Sequence, residues 1–409
     1  METTQTAAGT AASRPVSRRP NAAFWIVGYT FAVTMAFSAV PAPLYVLYQA
    51  RDHFSTFMIT VIFAAYAVGV AGSLFLAGHL SDWAGRRRMI VLAVATNMVS
   101  GVLFLVWPAT AGLIVARLVS GVSIGMLTAT ATAYLNELHA AARPGAGTTR
   151  SEIVGTAANL GGLGLGPLLA GLLAQYAGHA LVIPYLVSEA LMLAGALALA
   201  LAPETANVLR GKQRPAYRPQ RVSVPPANRP RFLAAAAAGG VVFALFGLFT
   251  SVEPSLLADL LHDSSHAIAG VVAFAVFAAS AGAQILFGRV SRRVQAGVGM
   301  ATLLAGLALV TASVWLPSFW LLLVGGIVAG AGAGIAFRGL VATVISITPA
   351  SARGEGLAGL FLGAYIGLAI PVVGMGVATL WVSLPVAVLG LSVVLTAVTL
   401  AVTRRLIAR

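Results

Sequence analysis

Apolar residues dominate this chain in long blocks, and polar residues break it at nearly regular intervals. Twelve apolar runs stand out, at residues 23–48, 56–80, 88–107, 110–136, 151–174, 180–202, 232–252, 267–288, 294–315, 318–347, 355–379 and 383–403. Each is close to the roughly 20 residues that a helix needs to cross a bilayer. The runs are continuous rather than alternating, which predicts helices and not barrel strands, because a helix satisfies its backbone polar groups internally in lipid. The pattern therefore predicts an all-α membrane protein with twelve transmembrane helices. The run at 23–48 is too long for a signal-peptide core and is followed by no cleavage pattern, so it is read as a retained first span.

Charge placement orients the bundle. Of 25 Lys and Arg, 22 fall on one side if the spans alternate, with Arg51 alone on the other and Arg117 and Arg338 inside spans. By the positive-inside tendency, both termini are then cytoplasmic. This also disposes of a nucleic-acid reading of the +14 net charge, since the basic residues sit at the ends of apolar runs and not on a soluble face. With 59% hydrophobic and 9% charged residues, the composition is far from that of a soluble domain. The absence of Cys excludes disulfides and thiolate metal sites.

Residues 203–231 differ from the rest, with six prolines and seven basic residues. They read as a cytoplasmic linker between a six-helix half at 23–202 and another at 232–403. A polar tail at 1–22 and a short one at 404–409 flank these halves. The halves also repeat. "GHLSD" at 78–82 aligns with "GRVSR" at 288–292, "GVSIG" at 121–125 with "GAGAG" at 330–334, and Gly155 precedes Pro167 by the same interval that separates Gly359 from Pro371. Two pseudo-symmetric six-helix halves are a transporter architecture, with the substrate site between them near the midplane.

Four motifs carry a family resemblance. "GHLSDWAGRRR" resembles the loop between spans 2 and 3 of the major facilitator superfamily, and "RLVSGVSIG" (117–125) its span 4 motif. "GLGLGPLLAG" (162–171) resembles the span 5 motif of the superfamily's drug:proton antiporter branch, and "APET" (202–205) the usual end of span 6. The resemblance implies the major facilitator fold and an alternating-access exporter of small organic molecules, with a proton gradient as the coupling and no bound cofactor. It implies a latch at the cytoplasmic face built from Gly78, Asp82, Gly85, Arg86, Arg87 and Glu137, holding the outward-facing state partly against span 11. In the second half Arg292 stands where the latch Asp would be, so that copy is degraded. It also implies a monomer in the inner membrane, with the bilayer and a small molecule as its only partners.

The residues themselves give candidate chemistry. A buried Arg is costly in lipid, so Arg117, about seven residues into span 4, should face a cavity and a partner; it is either structural, bound to backbone carbonyls, or part of coupling. Glu189 in span 6 is either a neutral polar spot or a proton carrier. Glu253, ending span 7, is either solvated at the outer face or a point where protons arrive. Glu152 suggests an ion-pair partner for a nearby Arg, and Arg338 either snorkels or contacts the other half. Gly162, Gly166 and Ala170 share one helix face, which with Pro167 and Gly171 reads either as ordinary close packing or as a pliable contact between halves. Tyr29, Phe37, Phe246, Tyr365 and Arg338 are candidates for the cavity wall, within a wider set that includes Phe31, Phe243, Phe249 and Phe361. Span 1 lacks the acid that many proton-coupled exporters carry there, which weakens proton coupling. A sugar or metabolite exporter is the alternative, and a membrane enzyme or receptor the rival from another class. No motif calls for catalysis, a metal or ATP: the six His show no ligand spacing and no phosphate-cradling loop occurs.

Overall fold

A computed structural model describes residues 18–77, 84–205, 222, 224–260, 265–349 and 352–407. Among these residues the chain is helical without strands. Eleven helices are long and apolar enough to cross a membrane: Pro20–Asp52, Thr56–Leu76, Arg86–Val106, Thr110–Ala142, Thr149–Tyr176, Pro226–Ser251, His266–Arg289, Arg292–Trp315, Phe319–Ile347, Arg353–Ala378 and Leu384–Leu406. A twelfth apolar helix, Ile183–Leu199, is shorter, at 17 residues. We number them spans 1 to 12 in chain order, Ile183–Leu199 being span 6.

The departures from the expected boundaries have local causes. Span 6 loses its first residues to a turn that contains Gly178 at φ 83° and starts its helix only at Ile183, with Pro184 in the first turn, where its missing N–H is not needed. Span 1 is broken near its far end. Pro41 and Pro43 cannot donate, the regular helix stops at Ala39, and a short 3-10 turn (Ala42–Leu44) leads into a second helical piece, Tyr45–Asp52. Span 5 carries a π-helical turn at Ala157–Gly161, more than a turn before Pro167, where the sequence places the weak point.

The spans pass up and down, so the two ends of the described chain lie at one end of the bundle, hereafter the terminal end. Side-chain contacts fix this arrangement: Arg150 at the start of span 5 covers the rings of Phe24 and Trp25 at the start of span 1, and Arg231 of span 7 donates to the Leu406 carbonyl of span 12.

Close helix pairs repeat between the halves. Gly121 and Gly125 of span 4 rest on the carbonyls of Tyr66 and Val70 in span 2. Gly330 and Gly334 of span 10 rest in the same way on the carbonyls of Val276 and Ser280 in span 8. The motif pair "GVSIG" and "GAGAG" thus performs one task twice. Small residues let backbones approach where lipid supplies no hydrophobic drive for association. Large side chains such as Leu197, Val68 and Ile370 stay exposed on the periphery, as a lipid-facing surface allows.

The halves meet along two seams. Span 2 lies against span 11, with Gly376 beside Thr60. Span 5 lies against span 8, with Gly270 on the Pro167 carbonyl and Gly171 on the His266 carbonyl. The Gln175 side chain accepts from the His266 N–H at 3.1 Å. These contacts close the end of the bundle opposite the termini.

Candidate functional site

Between the halves lies a cavity of about 690 Å³, within the range of small-molecule sites. It extends from Ser38, Arg117 and Thr250 down to Asn136, Glu152, Ile345 and Leu357, toward the terminal end. Its two walls differ. The first six spans supply mostly polar groups, among them Thr128, Thr132, Asn136, Thr156 and Asn159. The last six supply an aromatic wall. Phe243 lies 5.1 Å from Tyr365, 5.3 Å from Phe337 and 6.1 Å from Phe246 between ring centroids. Phe246 stacks on Phe277 at 4.8 Å, and Phe337 meets Phe361 at 5.6 Å. The π-helical turn of span 5 brings Asn159 and Leu160 to the cavity; such turns recur at functional sites.

Arg117 lines the cavity and is 2% exposed. Its Nη1 donates to the Ser38 carbonyl, and its guanidinium carbon lies 4.7 Å from the Tyr66 ring centroid, 5.5 Å from Phe63 and 5.9 Å from Tyr45. Its Nε has no partner, and no carboxylate pairs with it among the described residues. An Arg in mid-span costs about 2.5–3.5 kcal/mol on insertion scales. Ring faces worth about 0.5–2 kcal/mol each offset part of that cost but give Nε no acceptor. The carbonyl-bound structural role and the cavity-facing role are therefore both realised by one side chain.

At the terminal end the structure brings Arg86 to Glu137. Arg86 Nε and Nη2 each reach Glu137 Oε1 at 3.1 Å, and Thr205 donates to the other carboxylate oxygen. Both partners belong to the first half. Gly85 precedes span 3 at φ 107°, a backbone that side-chain-bearing residues rarely adopt. Glu204 accepts from the backbone N–H groups of Arg86 and Arg87 at 2.8 and 3.2 Å, placing a carboxylate at the positive end of span 3. Arg87 donates to the carbonyls of Ala200 and Ala202, and Tyr134 to that of Pro203. Glu204 was not among the candidate residues, although it stands in the "APET" motif; a carboxylate just after a span is the signal that identifies it. Gly78 and Asp82 lie outside the described residues.

Other candidates fall away from the cavity. Glu189 lies in the wall between spans 3 and 6, with Oε1 unpartnered against Gly101, where a Cβ would have no room. Phe37 borders the same glycine and packs 6.3 Å from Tyr185; it is core of the first half and not cavity wall. Tyr29 is 39% exposed and donates to the Leu191 carbonyl of span 6, so it too leaves the wall. Phe31 and Phe249 are buried and do not line the cavity. Phe243, Phe246, Phe361, Tyr365 and Arg338 do, and they are joined by Phe63, Tyr66, Phe277 and Phe337, which the sequence did not single out. Glu253 is 1% exposed with neither carboxylate oxygen partnered, which rules out the solvated reading; it follows span 7 directly, at the closed end.

Two readings are refined by geometry. Gly162 and Gly166 face the backbone of Ala32 and Ala36 in span 1, within the same half. Contact between halves falls instead to Gly164, Pro167 and Gly171 on the adjoining face. Arg338 reaches Glu152 at 3.2 Å and the Gln284 carbonyl at 3.4 Å, while Thr156 donates to the Gln284 side chain at 3.1 Å. Both links join the halves beside the cavity. Arg338 thus takes the interdomain option, and Glu152 is its acid.

A family model described as Major Facilitator Superfamily matches residues 26–293, more than half of the chain. No match was found among curated proteins.

Proposed function

The chain belongs to the major facilitator superfamily and is a multi-pass membrane transporter; from that premise we propose that it exports small amphipathic organic molecules by alternating access, driven by proton influx. One observation carries the substrate part of this reading: a cavity between the halves with a polar wall facing an aromatic one. Amphipathic compounds match both walls at once. A sugar would need hydrogen-bonding groups on both sides, and the aromatic wall offers few, so the sugar or metabolite alternative ranks second.

Export and proton drive rest on the span 5 motif and on the carboxylates. Glu253 is the foremost proton carrier, since it is buried and unpartnered at the end away from the termini. Glu189 is the second. Both lie off the cavity, so each acts on the equilibrium between two conformers and not on the substrate directly. We place the protein in the cytoplasmic membrane as a monomer with both termini inside, the two halves spanning 23–202 and 232–403. The conformer described above is then inward-facing. Arg86 and Glu137 brace the first half, and Asp82 supplies the latch toward span 11 in the opposite conformer.

Transport into proteoliposomes of a panel of amphipathic compounds, with and without an imposed pH gradient, tests this. Gradient-dependent accumulation is expected. Glu253→Gln should cut it by about tenfold or more, corresponding to about 1.4 kcal/mol of lost coupling, with gradient-free exchange retained. Arg117→Ala and Glu189→Gln should each depress it as well. Transport indifferent to the gradient would remove proton coupling from the proposal and leave the fold untouched.

A further inference from the structure

The charges around the cavity are few, and they do not cancel. Among the described residues its lining contains three: Arg117, Glu152 and Arg338. Glu152 and Arg338 pair with one another at 3.2 Å. That leaves Arg117 as a buried cation with one N–H on a backbone carbonyl, three ring faces around it and Nε unpartnered. Ring faces attract the guanidinium through its flat side, whereas its N–H groups point outward in the plane of the group. Nη1 already donates to the Ser38 carbonyl, but Nε is a donor without an acceptor, in a site of low dielectric where such a bond is worth most. A carboxylate or other planar anion satisfies it in the forked geometry that Arg favours. Conversely, a cationic guest would find no free acid: Glu152 is committed, and Glu189 and Glu253 lie outside the lining.

The opposite wall completes the specification. Phe243, Phe246, Phe277, Phe337, Phe361 and Tyr365 form a connected aromatic surface on the last six spans. The polar anchor lies on one half and the apolar surface on the other. We propose that the central cavity selects amphipathic organic anions, with the negative group on Arg117 and the apolar body on the aromatic wall. This narrows the reading above, and it rests on that reading only in taking this cavity as the transport site.

The discriminating experiment is equilibrium binding to the full chain in detergent at neutral pH. Naphthalene-1-acetate serves as the anion, naphthalene-1-acetamide as its neutral near-isostere and 1-naphthylmethylamine as the cation. The anion should bind at least about tenfold more tightly than the amide, a difference of about 1.4 kcal/mol, and the amine should be the weakest of the three. Arg117→Gln should bring the anion down to the level of the amide while sparing the amide. Arg117→Lys, which keeps the charge but loses the fork, should retain part of the preference. Phe243→Ala should weaken anion and amide together. The proposal fails if the amide or the amine equals the anion on the unaltered chain, a comparison that needs no variant to fold. It fails as well if none of the three binds at millimolar concentration, or if the preference survives Arg117→Gln. Counterflow of the bound anion in proteoliposomes separates the two claims: binding preference without counterflow would sink transport through this cavity and leave its selectivity standing.

Discussion

Gly85 holds its backbone at φ 107° and ψ 135°, where residues with a side chain are strained. Gly85→Ala should therefore destabilise the protein by about 1–3 kcal/mol, readable as a lower melting temperature in detergent. Gly147→Ala, at a glycine of ordinary φ with nothing within 4 Å of an added Cβ, should change little. Equal effects from the two would show that the turn before span 3 is not held in that conformation. The motif around Gly85 was legible in the sequence, as was the Arg86 partner, because Glu137 is an acid at the terminal end of a span where few acids occur. The surroundings of Arg117 were half legible. Its depth follows from counting residues, but its cage of Tyr45, Phe63 and Tyr66 is assembled from two spans that no spacing rule connects. Nor could the sequence separate Phe37 from Phe246. Both sit in helices that are apolar on every side, where lipid, neighbouring helix and cavity select the same residue types.

Under the proposed alternating access, the seam between spans 5 and 8 is the element that has to open. There Gly270 rests on the Pro167 carbonyl, and any side chain would push backbone against backbone. Gly270→Val should wedge the seam apart at the closed end and shift the population toward a conformer open on that side. In this Cys-free chain the shift is readable by placing a thiol at the cavity: Thr250→Cys should react several-fold faster with a membrane-impermeant reagent added from the side opposite the termini. Gly282→Val on the same helix, where nothing lies within 4 Å, is the control and should leave that rate unchanged. Unchanged reactivity in both would mean that the seam does not gate the cavity. The twelve spans themselves could be read from hydropathy alone, because lipid imposes length and backbone satisfaction on each. Which face of "GLGLGP" meets which neighbour could not. Spacing of four identifies a close-packing face, and only the fold reveals that Gly162 and Gly166 spend theirs on span 1.

At the scale of the molecule, the duplicated halves share a skeleton and differ in their linings. Span 4 on span 2 and span 10 on span 8 are the same glycine-on-carbonyl contact. Yet Arg117 and most of the hydroxyl and amide groups come from one half, while most of the aromatic rings come from the other. A symmetric scaffold thus presents an asymmetric pocket, which under the proposed mechanism would grip a cargo by unlike ends. Span 6 adds a separate constraint. Its 17 helical residues extend only roughly 25 Å, short of the roughly 30 Å of a typical hydrocarbon layer. Leu197 and Leu201, at its terminal end, are 65% and 82% exposed, so the mismatch meets lipid directly. Acyl chains beside this helix must shorten or splay to avoid leaving its ends in oil, at a cost of fractions of a kcal/mol per Å. Thinner bilayers should relieve that distortion: in vesicles of graded chain length, thermal stability should peak in short-chain lipid and fall as the leaflets thicken. A stability flat across that series would mean that the lipid annulus is indifferent to the shortest of the twelve helices.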